Sequence, residues 1–188
     1  MSIRKEVELP VTPRLPPDLL EKIGHTIVAF SYIEFLLSNI TYDLMGIGQK
    51  EGRLVIKEPR ASQRVEAIAD LITLKGIDLS IDLKDLMQLI ADLENSRNLL
   101  AHAVWMQHPN THQLFIRVTN GTWQPDPKVK GKVKRIIKPE GREYGLIEVS
   151  TLCDHIDQAT AVVLDLAREI VNKIPSLRKK YLLQTEDK

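Results

Sequence analysis

Residues 82–104 read DLKDLMQLIADLENSRNLLAHAV. Leu83, Leu86, Ile90, Leu93, Leu100 and Val104 recur at helical spacing, which makes one apolar stripe on an amphipathic helix. Ser80 or Asp82 suits the start of this helix. It is expected to run past His102, and Pro109 must end it. One residue breaks the pattern. Arg97 falls within about 60° of Leu86, Ile90, Leu93, Leu100 and Val104 on the helical wheel, so a guanidinium stands where an apolar side chain is expected. A guanidinium keeps its charge, and burying it alone costs several kcal/mol out of a total stability of roughly 5–15 kcal/mol.

A partner is therefore required, and the first helical segment offers one. That segment begins after Pro16-Pro17-Asp18, residue types that suit a helix start, and runs to about Gly46. Its stripe is Leu20, Ile23, Ile27, Phe30, Leu37 and Leu44. Glu34 lies about 40° from Phe30, inside the stripe rather than opposite it. Opposite charges on two core-facing helices predict a Glu34–Arg97 contact, bidentate in form. Such a pair serves either structure alone or a functional site, and the pair by itself does not decide between them.

Two more helices complete the frame. The segment from about Ala61 to Lys75 places Val65, Ile68, Ala69 and Ile72 on one side and stops at Gly76. The last starts at Ser150-Thr151, carries Leu152, Ile156, Ala159, Val163, Leu166 and Ile170, and stops before Pro175. Between the third and fourth helices the texture changes. Gln113 to Thr119 is rich in β-formers, and Asn120-Gly121 is a type I′ hairpin signal. Val129 to Ile137 and Leu146 to Val149 are further strand candidates, separated by Pro139-Glu140-Gly141. A sheet this small is marginal alone and is expected to lean on the helices. The expected fold is mainly α, an up-and-down four-helix bundle with a small antiparallel β insertion between the third and fourth helices. A single domain over residues 1–188 is expected, with the helical frame at about 18–105 and 150–175, the insertion at about 110–149, and short terminal arms.

Composition narrows the function. The 188 residues carry 26 Lys+Arg against 25 Asp+Glu, a net charge of +1, so no global field draws in nucleic acid and any such partner is held by a local patch. The stretch with Lys128, Lys130, Lys132, Lys134, Arg135, Lys138 and Arg142 is the one candidate. It reads either as a phosphate-binding strip, with Lys130, Lys132, Lys134 and Arg135 touching RNA, or as a solvated strand edge, which the alternation at 128, 130, 132 and 134 suits. The single Cys153 excludes an internal disulfide and a multi-cysteine zinc site. His108, His112 and His155 add no closed ligand set to it, so neither metal nor cofactor is expected. His25 falls on the polar side of its helix and is expected to be solvated. Trp105 is read as packing rather than as a base-stacking platform. Gly46, Gly48 and Gly52 follow a helix and lack the Lys-Ser/Thr of a phosphate-binding P-loop, so they are read as helix termination. Residues 1–10 lack the apolar core of a signal peptide. The apolar run 23–47 is interrupted by His25, Ser31, Glu34, Asn39 and Asp43, which disqualifies it as a membrane span on this reading. A soluble, cytoplasmic protein is the expectation.

The residues around Arg97 add a sharper reading. Arg97-Asn98-Leu99-Leu100-Ala101-His102 has an Arg, then a polar residue, then a His after four intervening positions. This resembles the signature of the HEPN superfamily: an Arg, four to six residues, then a His near the end of a bundle helix, usually with Asn, Asp or His after the Arg. The resemblance covers the helical frame, and the β insertion departs from the minimal family bundle. It implies metal-independent RNA cleavage at a dimer interface. His102 would take the proton of a ribose 2′-OH or protonate the leaving 5′ oxygen, a role typically worth ~10² to 10⁴ in rate. Arg97 would stabilise charge on the phosphorane-like oxygens, and Asn98 would orient the His or the phosphate. The product would be a 2′,3′-cyclic phosphate, and DNA would not be cut.

Five residues apart on an unbroken helix, Arg97 and His102 point about 140° away from each other. Either the helix distorts or two copies pool their residues across a two-fold axis; the second predicts a homodimer. The resemblance further implies a toxin or phage-defence effector, often restrained by a nucleotidyltransferase-like antitoxin protein. The alternative is a catalytically silent bundle in which Glu34, Arg97 and His102 form a structural network and the surface serves dimerisation or protein binding.

Overall fold

In the computed structural model, which describes residues 14–56, 59–102, 104–107, 114–125, 133–143 and 145–179, helix predominates. The order is α1 (Pro17–Met45), α2 (Gln49–Val55), α3 (Ala61–Lys75), α4 (Leu83–His102), β1 (Val104–Gln107), β2 (Leu114–Pro125), β3 (Val133–Glu143) and α5 (Leu146–Lys173). A helical turn follows at 175–179. The chain divides into two units: the described residues up to Ile23 with Asn98–Ser150, and Gly24–Arg97 with Thr151–Lys188.

The second unit is wholly helical among the described residues, and its helix ends are chemically defined. The α1 helix stops at Gly46 (φ 69°) and α3 at Gly76 (φ 62°), both left-handed, where a side chain would be strained. Asp82 Oδ1 caps α4 by accepting from the Lys84 and Asp85 amides at 2.8 and 3.1 Å. The buried faces are largely the periodic ones: Phe30, Leu37 and Leu44 on α1; Val65, Ile68 and Ile72 on α3; Leu86, Ile90 and Leu93 on α4; Ile156, Val163, Leu166 and Ile170 on α5. On α1, however, Leu20 of the expected stripe is 52% exposed, Ile23 and Ile27 are half-buried, and Ile33, outside that stripe, is fully buried. Polar links join these helices. Thr26 Oγ1 and Cys153 Sγ lie 3.3 Å apart between α1 and α5, both buried. Glu169 of α5 accepts from the amide and hydroxyl of Ser80, each at 2.8 Å, and pairs with Lys173 at 2.9 Å. Lys173 in turn donates to the Asp78 carbonyl.

By length and composition alone α1 is apolar enough to cross a membrane, with a mean hydropathy of 1.3 over its most apolar window, of which 28% is buried here. The polar interruptions at 25, 31, 34, 39 and 43 therefore do not by themselves exclude a span.

The other unit holds the strands. They pair antiparallel in the order β1-β2-β3, with Val104 opposite Arg117, and Phe115 to Pro125 opposite Glu143 to Val133. Ile116 and Val149 are fully buried in this unit.

Several boundaries differ from the sequence expectation. Val104 does not continue α4: it opens β1, where pairing with β2 outweighs the helical period, and it is 61% exposed. Asn120-Gly121 is not a turn. Both residues lie inside β2, opposite Lys138 and Ile137, because a ladder of eleven pairs outweighs a local hairpin preference. Pro139-Glu140-Gly141 lies within β3 rather than between strands; among the described strands β3 is at the edge of the order, the position where proline is tolerated in a sheet. Leu146 to Val149 is helix, not strand, so α5 starts four residues ahead of Ser150. The reason is local: the Gly145 amide donates to Glu148 Oε2 at 2.8 Å, the back-reaching half of a capping box. Finally, Gly48 and Gly52 do not merely end α1. Gly48 caps α2, and Gly52 is buried within it, where a Cβ would run into the Tyr42 ring.

Candidate functional site

The α4 stripe carries Arg97 toward α1, as the wheel requires. Its side chain is 18% exposed and that of Glu34 is 29%, so the pair is half-buried rather than sealed in the core. Arg97 Nη2 donates to Glu34 Oε2 at 3.1 Å, and the guanidinium carbon sits 5.1 Å from the centroid of the Phe30 ring. The cation thus has a carboxylate at its edge and a π-face beneath it, two forms of compensation that a charge leaving water needs. Phe30 is fully buried, which fixes the ring.

Glu34 serves more than one partner. Its backbone carbonyl accepts from Arg64 Nη1 at 2.7 Å and from Ser38 Oγ at 2.7 Å, while Ser38 Oγ accepts from Arg64 Nη1 at 2.6 Å. One helical turn of α1 therefore holds two arginines from two other helices, Arg97 by the carboxylate and Arg64 by the main chain.

Asn98 follows Arg97 and is half-buried, with a polar interaction of its own. His102, the last residue of α4, is exposed. The helix is continuous from Leu83 to His102. The structure thus brings Arg97 and Glu34 together and leaves His102 at an accessible helix end. Lys130 and Lys132 lie outside the described residues. Lys134 and Arg135 are on β3, opposite Gln124 and Trp123. Among the described residues no cluster of three His, Cys, Asp or Glu is placed to hold a metal ion, and Cys153 is buried. His25 is exposed, as its place on the wheel suggests, and also lies 3.0 Å from Asp157 Oδ1.

Two residues escaped the sequence reading. Arg64 sits on α3 with no irregularity in the surrounding pattern to mark it. Glu94, three residues before Arg97 on α4, is buried to 8% exposure; its place about 40° from Ile90 on the wheel was the available signal. Comparison of the chain with protein-family models, with curated proteins and with solved structures finds no match.

Proposed function

We propose that this chain is a HEPN-like endoribonuclease that cuts RNA without a metal ion, by 2′-OH attack, leaving a 2′,3′-cyclic phosphate. In this reading α1, α3, α4 and α5 form an up-and-down four-helix bundle, and β1 to β3 are an insertion before its last helix. The supporting observation is the state of Arg97: a half-buried guanidinium fixed by Glu34 and Phe30 yet retaining 18% exposure, on the same helix as an exposed His102. Partial exposure lowers the desolvation cost of the cation and also leaves it accessible to a phosphate. Asn98 lies next to Arg97 in the chain and orients phosphate or imidazole through its amide. Because Arg97 and His102, five positions apart on the helix, point about 140° away from each other, the reading includes a homodimer in which two copies complete the site. It places the protein in the cytoplasm as a toxin or phage-defence effector, with a nucleotidyltransferase-like antitoxin as a partner.

The second reading is a silent dimerisation or protein-binding module. Its support is the apolar exposure on α1, where Val28, Tyr32 and Phe35 are 70%, 46% and 48% accessible at helical spacing. The experiment that separates the two is incubation of purified protein with RNA in excess EDTA beside Arg97→Ala and His102→Ala. The nuclease reading expects cyclic-phosphate ends from the wild type and none from either variant. Cleavage that survives both, or that needs metal, contradicts it.

A further inference from the structure

The cleavage chemistry leaves the paired strands β2 and β3 without a role. Residues 114–143 carry eight Lys+Arg against three Asp+Glu, whereas the rest of the chain carries 18 against 22. A near-neutral protein has thus gathered its excess positive charge on one segment. Beyond the part of β2 that pairs with β1, Val118 to Pro125 lies opposite Glu140 to Val133. Among the described residues this stretch is a two-stranded ribbon, about 27 Å long at the usual rise per residue.

Opposed residues of an antiparallel pair share a face, and the face alternates along each strand. The register therefore sorts the ribbon into two unlike faces. One takes Asn120 opposite Lys138 and Gln124 opposite Lys134. It holds the same pairing of an amide with an ammonium twice, about 13 Å apart. Glu140, the acid of this face, stands at the end next to β1. The other face takes Trp123 opposite Arg135 and Gly121 opposite Ile137. Lysines on an edge strand also block pairing with other chains, but charge alone meets that need and asks for no amide opposite each.

The repeated pairing has a chemical meaning. An ammonium neutralises a phosphate, and an amide both donates and accepts hydrogen bonds, as a ribose 2′-OH does. The A-form helix of RNA displays its 2′-hydroxyls along a wide, shallow minor groove bordered by phosphates. Single strands are held by stacking on aromatic platforms, and the one aromatic residue of the ribbon, Trp123, belongs to the other face.

We propose that the face carrying Asn120, Gln124, Lys134 and Lys138 binds the minor groove of double-stranded RNA, with the lysines on phosphates and the amides on 2′-hydroxyls. This gives the nuclease reading a substrate class, RNA with a stem, and in that respect rests on it; the binding itself does not.

The test is fluorescence-anisotropy titration of the full chain, over a range of salt, with a labelled RNA duplex, the DNA duplex of the same sequence and a single RNA strand. The RNA duplex is expected to bind with a Kd of about 10⁻⁴ M or tighter at physiological salt, and the other two about tenfold more weakly. Lys134→Ala with Lys138→Ala should make the slope of log K against log salt shallower by about 2, at roughly 0.9 per phosphate. Lys134→Arg with Lys138→Arg should restore it, which separates lost charge from lost fold. Asn120→Ala with Gln124→Ala should keep the slope and bring the RNA duplex down to the affinity of the DNA duplex. Arg135→Gln, on the other face, should change neither. His102→Ala should bind as the wild type does. Duplex binding without cleavage would sink the nuclease reading alone, and cleavage without duplex binding would sink this proposal alone. Equal affinity for RNA and DNA duplexes overturns the proposal, as does a single strand that binds as tightly as the duplex, or an unchanged slope in the lysine variant. Poly-glutamate binding as tightly as the duplex would also overturn it and make the ribbon a docking surface for acidic protein.

Discussion

At the scale of single residues the central arrangement is a cation in an apolar stripe and the carboxylate that answers it. Removing Arg97 leaves Glu34 half-buried without its cation, whereas Glu34→Gln keeps a hydrogen-bond acceptor of the same shape. Arg97→Ala is therefore expected to cost about 1–3 kcal/mol and Glu34→Gln distinctly less. Denaturant titration of both variants checks this, and equal losses would show that the pair's charge, not its geometry, matters. Glu169 gives a second residue-level prediction. Its hydrogen bond to Lys173 first, then those from Ser80, hold its pKa down from 4.5 to about 2. A group whose pKa is depressed in the folded state adds stability that is fully present above its unfolded value and is lost as pH falls through the folded one. The melting temperature should thus decline between about pH 4.5 and 2, and Glu169→Gln should remove part of that decline. An identical acid profile in the variant would show that the Ser80–Lys173 cluster does not carry it.

At the scale of elements, α2 and the start of α5 show what periodicity misses. Gly52 lets α2 lie against Tyr42, so Gly52→Ala should cost about 1–3 kcal/mol by overpacking. Gly24, in the interior of α1 with open space around it, is the control; Gly24→Ala should gain about 0.5–1 kcal/mol. Thermal melts of the two variants should move in opposite directions. Tolerance of alanine at Gly52 would mean that α2 is not seated on Tyr42.

The helices α1, α3 and α4 were legible because each has an apolar stripe and a chemical boundary: Pro16-Pro17 at the start of α1, Gly46 and Gly76 after α1 and α3, Asp82 before α4. The Glu34–Arg97 contact was legible because a charge in a stripe demands an opposite one. The seven residues of α2 are too short to show a period, and their glycines read as breakers. The early start of α5 rests on Glu148 reaching back to Gly145, a capping device hidden within a run that also reads as a strand. Asn120-Gly121 misled because turn preference is local, whereas strand pairing is decided over the whole ladder. Arg64 was invisible because its role comes from the carbonyl it meets on α1, and main-chain acceptors leave no trace in side-chain pattern.

At the scale of the whole molecule, a near-neutral chain that handles RNA must concentrate its positive charge. A helical unit that fixes Arg97 beside Phe30, duplicated by a two-fold axis, would bring two such arginines to one phosphate without a basic surface. The dimer and the nuclease are one proposal at this level, since a single helix cannot aim both motif residues at the same atom. His102 offers the cleanest test. Arg97→Ala disturbs the fold and the chemistry together, but His102 is an exposed helix end, so its loss should leave the melting temperature unchanged. The decisive measurement is the yield of 2′,3′-cyclic phosphate ends from RNA in excess EDTA, wild type against His102→Ala at equal thermal stability. The account predicts cleavage by the wild type and a drop of about 10² or more in the variant; equal yields, or none from the wild type, would contradict it.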